Sequence, residues 1–363
     1  MKMNNREKTR EQSGELSDDV RRELMNAALD RKYDRWLMDE LYRGYIRARR
    51  GKRRSSDEFK FELNAVENLF LIQNDIKNRT YEPSRGIAFV IKEPVIREVF
   101  AAPFRDRVVH HFLYNGVYHW WDARLVYDSY SCREGKGTMF GIERLRHHIE
   151  SASRQYTQRA YVIKMDLQGY FMSLPRVELY KKAVWGLDRQ FPEGGREYET
   201  YKFLWRKIIM DDPCRGVRRK GRKSDWGSLP KSKSLFCQPP GQGIVIGNLS
   251  SQLLSNMYLD TFDRFVKFEL GYKHYGRYVD DFFVVVTEEE LSQALRDIEV
   301  MRDFLMGMGL TLHPNKRYIQ EVRKGVEFLG VKVYPYHIKL GKRVVRNFKR
   351  AVREGQGLAA QPL

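Results

Sequence analysis

Two places in the chain put an aspartate at the end of an apolar, strand-like run. One is Val162-Ile163-Lys164-Met165-Asp166. The other is Tyr278-Val279-Asp280-Asp281, at the expected tip of a hairpin. Adjacent Asp280 and Asp281 repel one another at neutral pH unless a cation or a proton intervenes. Three carboxylates converging from neighbouring strands would make a hard oxygen site suited to Mg²⁺. Two such ions about 3.5–4 Å apart can activate a 3′-hydroxyl and steady a leaving pyrophosphate in an in-line displacement. Taken singly, each motif serves as well to close a turn or cap a loop. Their joint occurrence in a strongly basic chain favours the metal site.

These carboxylates need a sheet to gather them. Residues 159–165 read as a short strand, and 274–278 with 282–286 as a hairpin. Asn248 or Ser250 can cap a helix whose Leu253, Leu254, Met257, Tyr258, Phe262 and Phe265 form one apolar stripe. Another helix spans 291–305 and ends at Gly307 and Gly309, and a further strand covers 328–333. Upstream, residues 1–80 read as helical, with Val20, Leu24, Trp36, Leu37, Leu41 and Tyr45 on helical spacing and a second helix over 59–76. A turn at 81–86 leads into a strand over 87–91, and 106–118 is helical. Residues 186–243 read as loop or ribbon around a helix at 198–210. Helices and strands mix without strict alternation, so the fold class is α+β.

The chain has 363 residues, with 66 Lys and Arg against 47 Asp and Glu, a surplus of +19. Apolar residues at 42% and aromatics at 13% suffice for a large core. They exclude a disordered chain, a disulfide mini-protein and a collagen-like repeat. The longest apolar runs are only a handful of residues, and the first twelve residues are polar, so neither a membrane span nor a signal peptide is expected. Cys132, Cys214 and Cys237 lie far apart, which suits a reducing cytoplasm better than a disulfide or zinc framework.

The positive charge is clustered. Residues 43–54 carry seven bases and no acid, 215–233 carry eight bases and one acid (Asp225), and 339–353 carry seven bases and no acid. With Tyr42, Tyr45, Trp226, Phe236 and Phe348 nearby, this pattern fits a nucleic-acid partner.

Tyr278-Val279-Asp280-Asp281 resembles the YxDD box of reverse transcriptases, and the resemblance runs in family order from about Pro83 to Val333. Residues 92–100 (KEPVIREVF) and 103–110 (PFRDRVVH) resemble the first fingers blocks, and 129–138 (SYSCREGKGT) the second. Asp166-Leu167-Gln168-Gly169-Tyr170-Phe171 is similar to motif A, Gly309-Leu310-Thr311-Leu312 with Lys316 to motif D, and Phe328-Leu329-Gly330 to motif E. Where most of the family has Gln-Gly and Ser-Pro in motif B, this chain has Ile246-Gly247-Asn248-Leu249-Ser250-Ser251-Gln252. That form resembles the reverse transcriptases of diversity-generating retroelements, as do the Cys132 block and residues 230–236.

The resemblance implies a right-hand polymerase fold. It divides the chain into a basic helical N-terminal extension (1–80), fingers (81–158), a palm (159–340, with a basic insertion at 186–243) and a short thumb (341–363). It implies that Asp166, Asp280, Asp281 and the Leu167 carbonyl hold two Mg²⁺ ions. Lys92 and Arg97 would hold the incoming triphosphate, and Phe171 would lie beneath the sugar and exclude a 2′-hydroxyl. Asn248 and Gln252 would border the nascent pair, and Lys316 would protonate pyrophosphate. Ile246 lacks the polar atoms of the Gln it replaces, which implies relaxed selectivity and errors opposite template adenines. The implied partners are template RNA, the primer or cDNA strand, deoxynucleotides and a small basic accessory protein. A group II intron or retron enzyme is the nearest alternative. A two-metal nuclease or a catalytically retired nucleic-acid-binding module is a more distant one.

Overall fold

The computed structural model describes residues 17–50, 56–93 and 95–353. Positions 1–16 of the expected N-terminal extension, 51–54 of the first basic run, Pro94 of the first fingers block and 354–363 of the expected thumb lie outside the described residues. In chain order the main helices are α1 (Asp18–Ala48), α2 (Ser56–Leu63), α3 (Ala65–Lys77), α4 (Phe104–Asp122), α5 (Thr138–Ala152), α6 (Arg176–Gln190), α7 (Arg196–Met210), α8 (Leu249–Arg264), α9 (Leu291–Gly307) and α10 (Lys342–Arg353). The strands are β1 (Ile87–Ile91), β2 (Arg97–Ala101), β3 (Ala160–Asp166), β4 (Arg218–Arg219), β5 (Tyr275–Tyr278), β6 (Asp281–Thr287), β7 (Tyr318–Glu321), β8 (Val326–Phe328), β9 (Val331–Val333) and β10 (Ile338–Leu340).

The α+β class follows directly. A four-stranded sheet runs in the order β5-β6-β3-β7, with every neighbouring pair antiparallel. There are also two three-stranded sheets, β2-β1-β4 and β10-β9-β8. The run Phe282 to Val286 is apolar without a break because both faces of β6 are covered. Phe282, Val284 and Val286 join the large core with α4 and α8, whereas Phe283 and Val285 join a second core with Ile142, Leu145 and Ile149 of α5. A strand buried on both sides has no polar face to show. On β3, Ile163 and Met165 face the large core and Val162 the second. Lys164 and Asp166 continue the Val162 face toward the strand's end.

Helix α8 passes through the centre and is buried on more than one stripe. Its first turns place Ser250, Ser251 and Ser255 inside alongside Leu253, Leu254 and Met257, and these small side chains let neighbouring segments approach. Helix α1 is part of the main core, with Leu37 and Leu41 fully buried and Trp36 edge-on to Phe112 and Tyr201.

Several local expectations change. Val20 and Leu24 are on the helical stripe yet exposed, at 39% and 52%, because the first half of this 31-residue helix runs past the core. The helix expected over 59–76 is two, α2 and α3. The break falls at Asn64, whose backbone leaves helical geometry at φ −129° and whose side chain competes with the backbone for hydrogen bonds. The strand expected over 328–333 is a hairpin, turning at Leu329 and Gly330, which have φ of +46° and +85°. Within the third basic run a helix starts at Lys342, because residues 338–340 pair with β9 first. All three cysteines are free, and no helix among the described residues is long and apolar enough to cross a membrane.

Candidate active site

The pairing of β3 with β6 puts Asp166 directly opposite Asp281. Opposed Cα atoms in an antiparallel pair are about 4.5–5.5 Å apart, so two carboxylates remote in sequence share one end of the sheet. Asp280 is next to them in the loop of the β5–β6 hairpin, where Tyr278 pairs with Asp281 and only Val279 and Asp280 make the turn. Two-residue hairpin loops favour a left-handed residue, normally Gly. Here Val279 takes that conformation at φ +57°, which for a β-branched residue costs about 1–3 kcal/mol. Backbone bonds lock this end of the sheet. Leu167 N donates to Asp280 O at 3.1 Å, His313 N to Asp166 O at 2.8 Å and Gln168 N to Thr311 O at 2.8 Å. The 309–312 segment thus pairs with the end of β3, with Leu312 bridging to Leu167.

The local electrostatics are those of crowded acids. Burial, then the charges of Asp166 and Asp281, push the Asp280 carboxyl up to about 7. Asp281 is pushed up to about 6, by burial first; Lys164 opposes the rise, and the charge and hydrogen bond of Asp166 add to it. Lys316 Nζ donates to Asp166 Oδ2 at 2.7 Å. Burial works against its charge, but the hydrogen bond and charge of Asp166, with the charges of Asp280 and Asp281, outweigh burial and raise its pKa.

Among the described residues no three Asp, Glu, His or Cys side chains converge as a ready-made ligand cluster. The donor chemistry nevertheless fits a hard divalent cation. The donors are all oxygen, the carboxylates resist shared ionisation, and an ammonium already sits on Asp166 where positive charge is favoured.

The other expected site residues fall into two groups. Lys92 and Arg97 lie at the turn end of the β1–β2 hairpin, where Ile91 pairs with Arg97. Arg97 is exposed, whereas Lys92 Nζ lies 2.6 Å from Asp225 Oδ1 of the basic insertion. Phe171 and Ile246 form the second group, on the segments that follow β3 and precede α8. Tyr170 is fully buried with its hydroxyl donating to Ser255 O at 2.6 Å, so Phe171 is the half-exposed ring of the two. The Phe171 carbonyl accepts from Ile244 N at 2.8 Å. Ile246 accepts from Phe100 N at 2.9 Å and packs beside Phe100 and Met172 in a small apolar core. Asn248 is the N-cap of α8, without a side-chain capping bond. It lines a cavity with Phe100, Arg176, Ile244 and Leu254, while Gln252 points outward and is exposed.

Sequence reading missed three charged residues. Lys164 shares a strand face with Asp166, a signal that two-residue spacing carries. Asp225 stands out as the one acid in its basic run. Arg277 precedes the aspartates, but its partner Asp263 is distant in sequence and nothing local marks the pair.

A family model described as reverse transcriptase (RNA-dependent DNA polymerase) matches residues 97–333. The chain belongs to the reverse transcriptase family, whose members are RNA-directed DNA polymerases, a class of nucleotidyltransferase, and generally use divalent metal ions. No curated protein matches it in sequence. Solved structures similar in shape include apo telomerase from Candida tropicalis, at 11% identity over 71% of this chain and 49% of that one, with a TM-score of 0.46. Telomerase from Candida albicans in complex with a TWJ fragment of telomeric RNA is similar at 12% identity, over 74% and 46%, with a TM-score of 0.49. The chain spans about half the length of these two proteins.

Proposed function

We propose that this chain copies RNA into DNA, with Asp166, Asp280 and Asp281 holding two Mg²⁺ ions and the Leu167 carbonyl adding an oxygen. The observation that carries this reading is the register that sets Asp166 opposite Asp281, one residue from Asp280. When bound, the ions would supply Lewis-acid activation of the primer 3′-hydroxyl and charge neutralisation at the leaving pyrophosphate. The chain's own residues bind and orient. Lys92 and Arg97 grip the triphosphate, one as a compact charge and the other as a planar fork. Phe171 lies under the sugar and collides with a 2′-hydroxyl, Asn248 and Gln252 border the nascent pair, and Lys316, kept protonated by its acidic neighbours, gives a proton to pyrophosphate.

The subdomains proposed are an N-terminal extension (1–80), fingers (81–158), palm (159–340) and thumb (341–363). The finer reading is a retroelement enzyme that diversifies its cDNA. It rests on the Ile246 block, where an alkyl side chain replaces an amide and leaves the nascent pair without a polar fixing group. Template RNA, primer or cDNA, deoxynucleotides and a small basic accessory protein are its proposed partners.

The test is primer extension on an RNA template with deoxynucleotides and Mg²⁺. Asp166→Asn, Asp280→Asn and Asp281→Asn should each lower the rate by about a thousandfold, the scale of losing transition-state charge stabilisation. Wild-type extension by any of the three would overturn the assignment, and template degradation in place of extension would point to a nuclease.

A further inference from the structure

A fully buried ion pair lies directly behind the aspartate turn. Arg277, on β5, donates from Nε to Asp263 Oδ1 and from Nη2 to Asp263 Oδ2, each at 2.7 Å. The two side chains are 1% and 0% exposed. Arg277 Nη1 reaches the Val279 carbonyl at 2.9 Å and Asn256 Oδ1 at 3.2 Å, and Nη2 also reaches Ser129 Oγ at 3.4 Å. All five guanidinium N–H groups therefore have an acceptor. The Arg277 backbone is held as well, its N–H donating to Asp128 O and its carbonyl accepting from Tyr130 N, both at 2.9 Å. Asp263 also accepts from the Tyr275 hydroxyl.

A buried ion pair is a poor way to gain stability, since well-packed apolar residues of similar volume often do as well or better. What an apolar pair cannot do is hold a carbonyl in a fixed direction. The carbonyl held here belongs to Val279, the left-handed residue immediately before Asp280. Without a donor on that carbonyl, a valine turn would relax toward ordinary backbone geometry and carry both aspartates with it.

We propose that Arg277 and Asp263 are positioning residues. They tie the Val279 carbonyl to α8 and so set the orientation of Asp280 and Asp281 toward Asp166. This rests on the aspartates being the catalytic groups.

Arg277→Lys keeps the charge but not the fork, so it cannot span Asp263 and the Val279 carbonyl together. In a preparation that melts cooperatively, kcat on a primed RNA template should fall by about 100-fold, the scale of a roughly 1 Å misplacement. The KM for deoxynucleotide and the primer–template affinity should stay at wild-type values. Mn²⁺ bound to the enzyme–primer–template complex, followed by electron paramagnetic resonance, should bind more weakly. The double variant Arg277→Met/Asp263→Leu removes both charges while filling the space, so it tests the same idea if the lysine variant fails to fold. Wild-type kcat and Mn²⁺ affinity in either folded variant would overturn the proposal. Inactivity of the wild-type chain, or full activity of Asp280→Asn, would instead remove the polymerase reading beneath it.

Discussion

At the scale of single residues, the substitution most open to experiment is at Ile246. Its backbone carbonyl is fixed by Phe100 N and its side chain packs beside Met172, one residue from Phe171. The backbone position is therefore set independently of the side chain, and a Gln can be introduced without moving this loop. Ile246→Gln should restore a hydrogen-bonding group near the nascent pair and lower misincorporation opposite template adenine by about 10-fold or more, the penalty for a mispair that leaves polar atoms unpaired. Sequencing of cDNA made on a defined template checks this, and an unchanged adenine error rate removes Ile246 from the account. Phe171 shows how far sequence alone reaches. Motif spacing picks out the Tyr170-Phe171 pair, but the burial of Tyr170 against Ser255 leaves Phe171 as the half-exposed ring.

At the scale of elements, the β1–β2 hairpin is held from two sides by segments far away in the chain. Asp225 of the insertion pairs with Lys92, and Arg350 of α10 pairs with Glu93 through both carboxylate oxygens. The insertion also joins the hairpin's sheet, since β4 pairs in parallel with β1. A triphosphate arriving at Lys92 would have to displace Asp225, whose own pKa is lowered chiefly by its bond to Lys92. Asp225→Asn should therefore lower the KM for deoxynucleotide, by no more than about fivefold because Lys92 is half exposed. Steady-state kinetics with kcat unchanged is the expected result, and a KM equal to wild type would show that Lys92 does not meet the triphosphate. The lone acid of the basic run was visible in the sequence, but its pairing with Lys92 was not, because 133 positions separate the two residues.

At the scale of the whole molecule, the acidic centre is a cost to folding. An Asp in the unfolded chain loses its proton near pH 3.9, whereas folded Asp280 keeps it up to about 7. Between these values the folded state binds more protons than the unfolded one, so this group's contribution to stability falls as pH rises through 7. In metal-free buffer, Asp280→Asn should melt above wild type at pH 8 and together with it at pH 4. Buried histidines act in the opposite direction, His110 and His274 both being lowered to about 4, mainly by burial. They are common to both proteins and cancel in the comparison. Equal melting temperatures at pH 8 would mean that the carboxylate is not held in the crowded, buried state the geometry describes.

The amino-acid order alone determined the α+β class, the apolar strands that end in aspartates and the family resemblance, because these depend on periodicity and on motifs a few residues long. It also indicated the central helix and several other elements, but not the helices Thr138–Ala152 and Arg176–Gln190 or the strands Arg97–Ala101 and Tyr318–Glu321. Where it erred, at Asn64 and at Leu329-Gly330, a local backbone preference broke a continuous pattern. Tertiary structure alone decided that Asp166 faces Asp281, that Lys316 sits on Asp166, that Asp225 reaches Lys92 and that Arg277 holds the aspartate turn through a buried pair. The physical reason is reach: propensity and spacing act over a few residues, while strand register and charge pairs join residues as remote as Tyr161 and Glu321 or Lys316 and Asp166.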